Sequence, residues 1–188
     1  MQRATNQDKK LYIAIDGPDA VGKSTILDKV VEKLAKNGYK CSSFSEPNLL
    51  RSDLLHNEHI NDFQRAIAFI ADHELTVASK LSEDFDIIIG DRCALSSIPV
   101  YQKLTDEEAD IIQYLFYRAI QPNILFIISG PQRRDADNTI YENAERNESF
   151  YDFLVEKNVA TRIVNNTIDQ AADNIVRAIE NLNIYQIR

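Results

Sequence analysis

The chain has 188 residues, 44% of them hydrophobic, with 21 Lys and Arg against 29 Asp and Glu and a formal net charge of −8. That length fits one domain over residues 1–188, since chains divide mostly above ~250–300 residues. The acid excess speaks against nucleic acid or an anionic membrane as the main partner, because either polyanion repels such a surface. Phosphate ligands stay open, because they answer to local charge. Apolar runs such as Ile124–Ile128 are far short of the ~20 residues of a membrane span. Met1–Lys10 holds no apolar stretch of the kind that opens a secretory leader. Cys41 and Cys93 stand alone, with no CxxC and no metal spacing, so the expectation is a reduced, cytoplasmic protein.

In chain order, short apolar runs alternate with helix-period stretches. Leu11–Ile15 is the first predicted strand. Ile26, Leu27, Val30, Val31 and Leu34 then give an amphipathic helix that stops at Gly38. Tyr39–Phe44 is the second strand. Phe63, Ile67, Ile70, Val77, Ala78 and Leu81 mark one face of a long second helix, and Phe85–Ile89 is the third strand. Thr105-Asp-Glu-Glu108 reads as a capping box, opening a helix that ends before Pro122. Ile124–Ile128 and Arg162–Val164 are the fourth and fifth strands, and a last helix spans about Asp169–Leu182. Strand–helix–strand alternation predicts an α/β fold, a five-stranded parallel sheet with helices on both faces.

Gly17-Pro-Asp19-Ala20-Val21-Gly22-Lys23-Ser24 fits G-x-x-x-x-G-K-[ST] between a predicted strand and a predicted helix, the context that motif requires. The glycines let successive backbone N–H groups curl toward one anion, and the helix N-terminus adds partial positive charge. Lys23 is placed to reach the β/γ-phosphates and Ser24 to offer its hydroxyl to Mg²⁺. Thr25 completes the turn, so the expected ligand is a nucleoside triphosphate such as ATP.

A second signal is the apolar strand that ends in Asp91-Arg92. Strand C-termini of a parallel sheet share one crevice, which brings Asp91 beside the phosphate turn. There it can hold Mg²⁺ through water, while Arg92 clamps a second phosphate. Glu46-Pro47, after the second strand, points into the same crevice. The stretch 130–147 is long, poor in large apolar residues and carries Arg133, Arg134 and Arg146. It reads as a lid that brings positive charge to a migrating group.

In order and spacing these features resemble the thymidylate kinases. The resemblance runs through Asp16-Gly-Pro-Asp19-Ala-Val-Gly-Lys-Ser-Thr25, Glu46-Pro47, Ala71-Asp72-His73, Asp91-Arg92, Leu95-Ser96-Ser97, Tyr101-Gln102, Tyr141-Glu142-Asn143 and Thr167-Ile168-Asp169, from Leu11 to about Leu182. It implies a P-loop kinase fold and Mg²⁺-dependent phosphoryl transfer from ATP to a pyrimidine deoxynucleoside monophosphate, dTMP first. By the same resemblance Asp19 lies near the acceptor's 3′-hydroxyl, Phe69 stacks on the base and Arg92 holds the acceptor phosphate. Gln102 reads a base edge, with Pro47, Ser97, Tyr101 and Tyr141 also at the substrate. The resemblance further implies a homodimer packed through helices. The family's catalytic arginine comes from the turn or from the lid. The turn here has none, which points to Arg133, Arg134 or Arg146.

Four departures mark this chain. His73 stands where an arginine usually bonds the thymine carbonyl. Ser45 stands where many bacterial members have arginine, with Arg51 available from the following loop. One extra residue, beside Pro99, precedes Tyr101-Gln102, and no arginine stands just before Tyr141-Glu142. The base is therefore open between thymine and uracil, cytosine or a modified pyrimidine. The rival reading is a deoxynucleoside kinase, with Glu46 as the base that activates a 5′-hydroxyl.

Overall fold

The structure is a computed structural model that describes residues 10–18, 20–49, 58–95, 104–131 and 150–186, with side chains to residue 182. Five strands, β1 (Leu11–Asp16), β2 (Cys41–Ser45), β3 (Ile87–Asp91), β4 (Ile124–Ser129) and β5 (Thr161–Val164), form one sheet. Their order is β2-β3-β1-β4-β5, every pair parallel. The helices are α1 (Lys23–Lys36), α2 (Asp62–Ser82), α3 (Asp106–Arg118), α4 (150–156) and α5 (Ile168–Gln186).

The period of two along β1 divides the core. Leu11, Ile13 and Ile15 pack with α1 and α5 on one face, through Ile26, Val30, Leu34, Ile175 and Ile179. Tyr12 and Ala14 face the other side, against Phe44, Val77 of α2, and Tyr151 and Leu154 of α4. A third cluster, Ala66, Ile70, Ile112 and Ala119, joins α2 to α3. The expected capping box is present, with Thr105 accepting from the Glu108 amide.

Strand boundaries shift by at most two residues. β3 runs on through Asp91, paired with Ile15 of β1 and Ser45 of β2, so the backbone of Asp91 belongs to the ladder. α2 corrects the expected apolar face: Ile67 and Ala78 are exposed, while Asp72, His73 and Thr76 are buried. Helix periodicity counts apolar residues, and it misses polar ones that bury themselves by finding partners on other segments. No helix among the described residues is long and apolar enough to cross a membrane.

Candidate active site

β1 runs between β3 and β4, and the crevice beyond its C-terminal end is where open parallel sheets bind ligands. The turn after β1 needs glycine. Gly17 has φ 139°, and a Cβ there would lie 2.3 Å from the Ile128 carbonyl oxygen. Gly22 has φ 89° and opens α1 with no side-chain cap, so the first amides of the helix need other partners. Lys23 Nζ donates to the Pro18 carbonyl at 2.8 Å, folding the lysine back along the turn. Asn165, after β5, braces the turn by donating to the Val21 carbonyl at 2.8 Å.

Ser24 Oγ donates to Asp91 Oδ2 at 2.6 Å, joining α1 to the end of β3. Arg92 follows in a left-handed conformation, φ 84°, and its amide donates to the Ile15 carbonyl at 2.9 Å. The Glu46 amide donates to the Asp91 carbonyl at 3.2 Å, which brings the end of β2 to the same place. These contacts bring Lys23, Ser24, Thr25, Glu46, Asp91 and Arg92 around one cavity of about 360 Å³. A larger groove of about 560 Å³ between α3 and α4 is lined mainly by apolar side chains such as Ile112, Phe116 and Phe153. It offers no charge to hold phosphates, whereas the smaller cavity gathers Lys23 and Arg92 with Glu46 and Asp91.

Asp16, the last residue of β1, is 1% exposed. Its Oδ1 accepts from the Gly17 amide at 2.8 Å and from the Tyr151 hydroxyl at 3.0 Å, with Arg92 Nη1 3.6 Å away. Burial pushes its carboxyl above the usual carboxylate range, while Arg92 and the Gly17 amide pull it back.

His73 is equally buried, with both nitrogens engaged. Nδ1 lies 2.5 Å from Glu46 Oε1, and Nε2 lies 2.9 Å from the Ile120 carbonyl oxygen. A carbonyl only accepts, so Nε2 carries a proton, and the Nδ1–Oε1 contact needs a second proton between its atoms. The pair therefore holds one more proton than a neutral histidine beside a carboxylate. Burial presses the His73 pKa down, but the hydrogen bond and charge of Glu46 outweigh it and leave it above the ordinary value. Its neighbour Asp72 accepts from the Asn48 and Leu49 amides at 2.7 and 2.6 Å, tying the segment after β2 to α2.

A match to the family model of thymidylate kinase covers residues 15–180. The chain belongs to the thymidylate kinase family. A relative described as a probable thymidylate kinase of Methanobrevibacter smithii is 28% identical over 149 residues, 74% of each chain. Another from Caldivirga maquilingensis is 24% identical over 85% of this chain and 90% of the relative. In fold, the chain is similar to the crystal structure of a thymidylate kinase from Ehrlichia chaffeensis. The TM-score is 0.69 at 20% identity, over 90% of this chain and 98% of that one. The chain is thus a nucleoside monophosphate kinase, a transferase acting on phosphoryl groups.

Of the sequence-predicted residues, the structure gathers Gly22, Lys23, Ser24, Thr25, Glu46, Asp91 and Arg92, with Gly17, Ala20 and Val21 in the turn itself. Pro47 follows Glu46 at the end of β2. Phe69 packs partly buried on the α2–α3 cluster, and His73 turns inward to Glu46. Asp19, Arg51, Ser97, Tyr101, Gln102, Arg133, Arg134, Tyr141 and Arg146 lie outside the described residues, as does the 130–147 segment beyond Pro131. Sequence reasoning missed the roles of Asp16, Tyr151 and Asn165. A carboxylate closing an otherwise apolar strand was the available signal for Asp16.

Asp91→Asn is expected to raise the Mg²⁺ concentration needed for half-maximal turnover by about 10–100-fold. A Mg²⁺ titration of the initial rate checks this, and an unchanged midpoint would contradict the expectation that Asp91 holds Mg²⁺.

Proposed function

We propose that this thymidylate kinase family member transfers the γ-phosphoryl group of ATP to dTMP, giving ADP and dTDP, as a cytoplasmic single-domain homodimer. The observation that carries this reading is the convergence of Lys23, Ser24, Asp91, Arg92 and Glu46 on one cavity at the ends of β1, β2 and β3. An acceptor phosphate monoester has its second pKa near ~6 and is already ionised at neutral pH, so it needs no general base. The barrier is the approach of two polyanions, which calls for fixed positive charge and alignment. Lys23 and the α1 N-terminus take the donor phosphates, Arg92 takes the acceptor phosphate, and Arg133, Arg134 or Arg146 adds charge at the migrating group.

Mg²⁺ fits the donor set. A hydroxyl and a carboxylate, already hydrogen-bonded, supply hard oxygens, and this ion usually takes the rest of its shell from water and phosphate. Bound there, it neutralises charge between the donor phosphates. Among the described residues no group of three or more His, Cys, Asp or Glu forms a full metal cage, and Mg²⁺ with a triphosphate does not require one.

The deciding experiment supplies ATP and Mg²⁺ with dTMP, dUMP, dCMP or thymidine separately and identifies the products by anion-exchange chromatography. The expected result is dTDP, with the highest kcat/KM for dTMP and no product from thymidine. Phosphorylation of thymidine alone would instead support the hydroxyl-acceptor reading with Glu46 as base.

Self-association is supported by α2. Ile67, Ala71, Leu75 and Ala78 recur at i, i+4, i+8 and i+11 on its exposed side, Leu75 being 62% exposed. Exposed Ile111 and Tyr114 on α3 add apolar surface. Leu75→Glu is expected to halve the mass measured by analytical ultracentrifugation, and a wild-type chain already sedimenting as one copy would contradict the dimer.

A further inference from the structure

We propose that Tyr151 is a positioning residue for Arg92 and acts through the buried carboxylate of Asp16. The inference rests on the reading above, in which Arg92 takes the acceptor phosphate. Three donors converge on one oxygen: the Gly17 amide, the Tyr151 hydroxyl and, at 3.6 Å, Arg92 Nη1 all face Asp16 Oδ1. Asp16 Oδ2 is sealed from solvent and makes no hydrogen bond among the described residues. The carboxylate is therefore anchored through Oδ1 alone. Its terminal torsion is soft and two-fold, so its hydrogen bonds decide which oxygen faces the arginine.

Tyr151 suits this task. It is 2% exposed, and α4 packs it against the Tyr12–Ala14 side of the sheet, which fixes the ring. Its hydroxyl also lies 3.4 Å from the Gly17 carbonyl oxygen, so one group registers the phosphate turn and the carboxylate together. Arg92 is constrained at its other end by the bond from its amide to the Ile15 carbonyl. A guanidinium is a rigid planar fork, so orienting one edge orients the rest. Asp16 thus aims Arg92 across the cavity that also holds Lys23 and Glu46. Burial alone would push the Asp16 proton affinity up, and the three donors together favour the charged form.

The test is steady-state kinetics, with dTMP and ATP varied independently, on the wild type, Tyr151→Phe, Arg92→Ala and the double variant. Tyr151→Phe is expected to raise KM for dTMP about tenfold, the size of one hydrogen bond to a charged group, and to leave KM for ATP within about twofold. On the Arg92→Ala background it should add nothing, because the arginine it positions is gone. Asp16→Asn, which keeps the shape but drops the charge, should reproduce the dTMP effect and stands in should Tyr151→Phe fold poorly. An unchanged KM for dTMP in Tyr151→Phe, an equal rise for both substrates, or an effect that multiplies on Arg92→Ala would overturn the proposal. If Arg92→Ala itself leaves KM for dTMP unchanged, the acceptor-clamp reading falls and takes this inference with it.

Discussion

Lys23→Ala is expected to lower kcat by roughly a hundred- to a thousandfold, the usual cost of removing one preorganised charge from a developing anion. The lysine already lies along the turn, its ammonium on the Pro18 carbonyl 2.8 Å away. Reaching a phosphate then means exchanging one oxygen partner for another without leaving the cavity. Alanine takes away the cation but leaves both glycines and the helix N-terminus, so ATP should still bind. The loss should therefore fall mainly on kcat, with KM for ATP changing less. Stopped-flow ATP binding beside steady-state rates separates the two. A variant with near wild-type kcat would contradict the role given to the turn.

The second large effect is on stability. His73→Ala is expected to cost about 3–5 kcal/mol, because it strands the buried Glu46 carboxylate without its partner. For a chain of this size that corresponds to a fall in melting temperature of roughly 10 °C or more. The wild type should also show a pH dependence of definite sign. The folded pair keeps a proton that an unfolded histidine releases near ~6.5. With the folded His73 pKa raised, the stabilisation is complete below about pH 6.5. It is lost as pH rises through the folded value, at about 1.4 kcal/mol per pH unit for one proton. Thermal melts between pH 6 and 9 check this, with Glu46→Gln/His73→Phe as the variant whose melting curve should lack that slope. A wild-type stability that rises over that interval would mean the pair does not hold its proton.

Local signals were legible, and long-range partnerships were not. The Gly17–Ser24 turn is written in consecutive residues, so its conformation and place between β1 and α1 follow from the string. Asp91 is likewise readable, as a carboxylate closing an apolar run. His73 is different, because its burial depends on Glu46 and on the Ile120 carbonyl, 27 and 47 residues away. Nothing within α2 announces them, and period counting put Ile67 and Ala78 inward instead. α4 escaped notice because it is short, although Phe150, Tyr151, Leu154 and Val155 carry the i, i+4 spacing of a packed helix. Tyr151 would still have read as plain core, since only the fold brings its hydroxyl to Asp16, 135 residues away.

The most direct measurement is a phosphorus NMR time course of the chain with ATP, dTMP and Mg²⁺. The account predicts that a terminal dTDP phosphate signal grows in step with ADP, one for one, while inorganic phosphate stays at background. ADP and inorganic phosphate accumulating with dTMP untouched would contradict it.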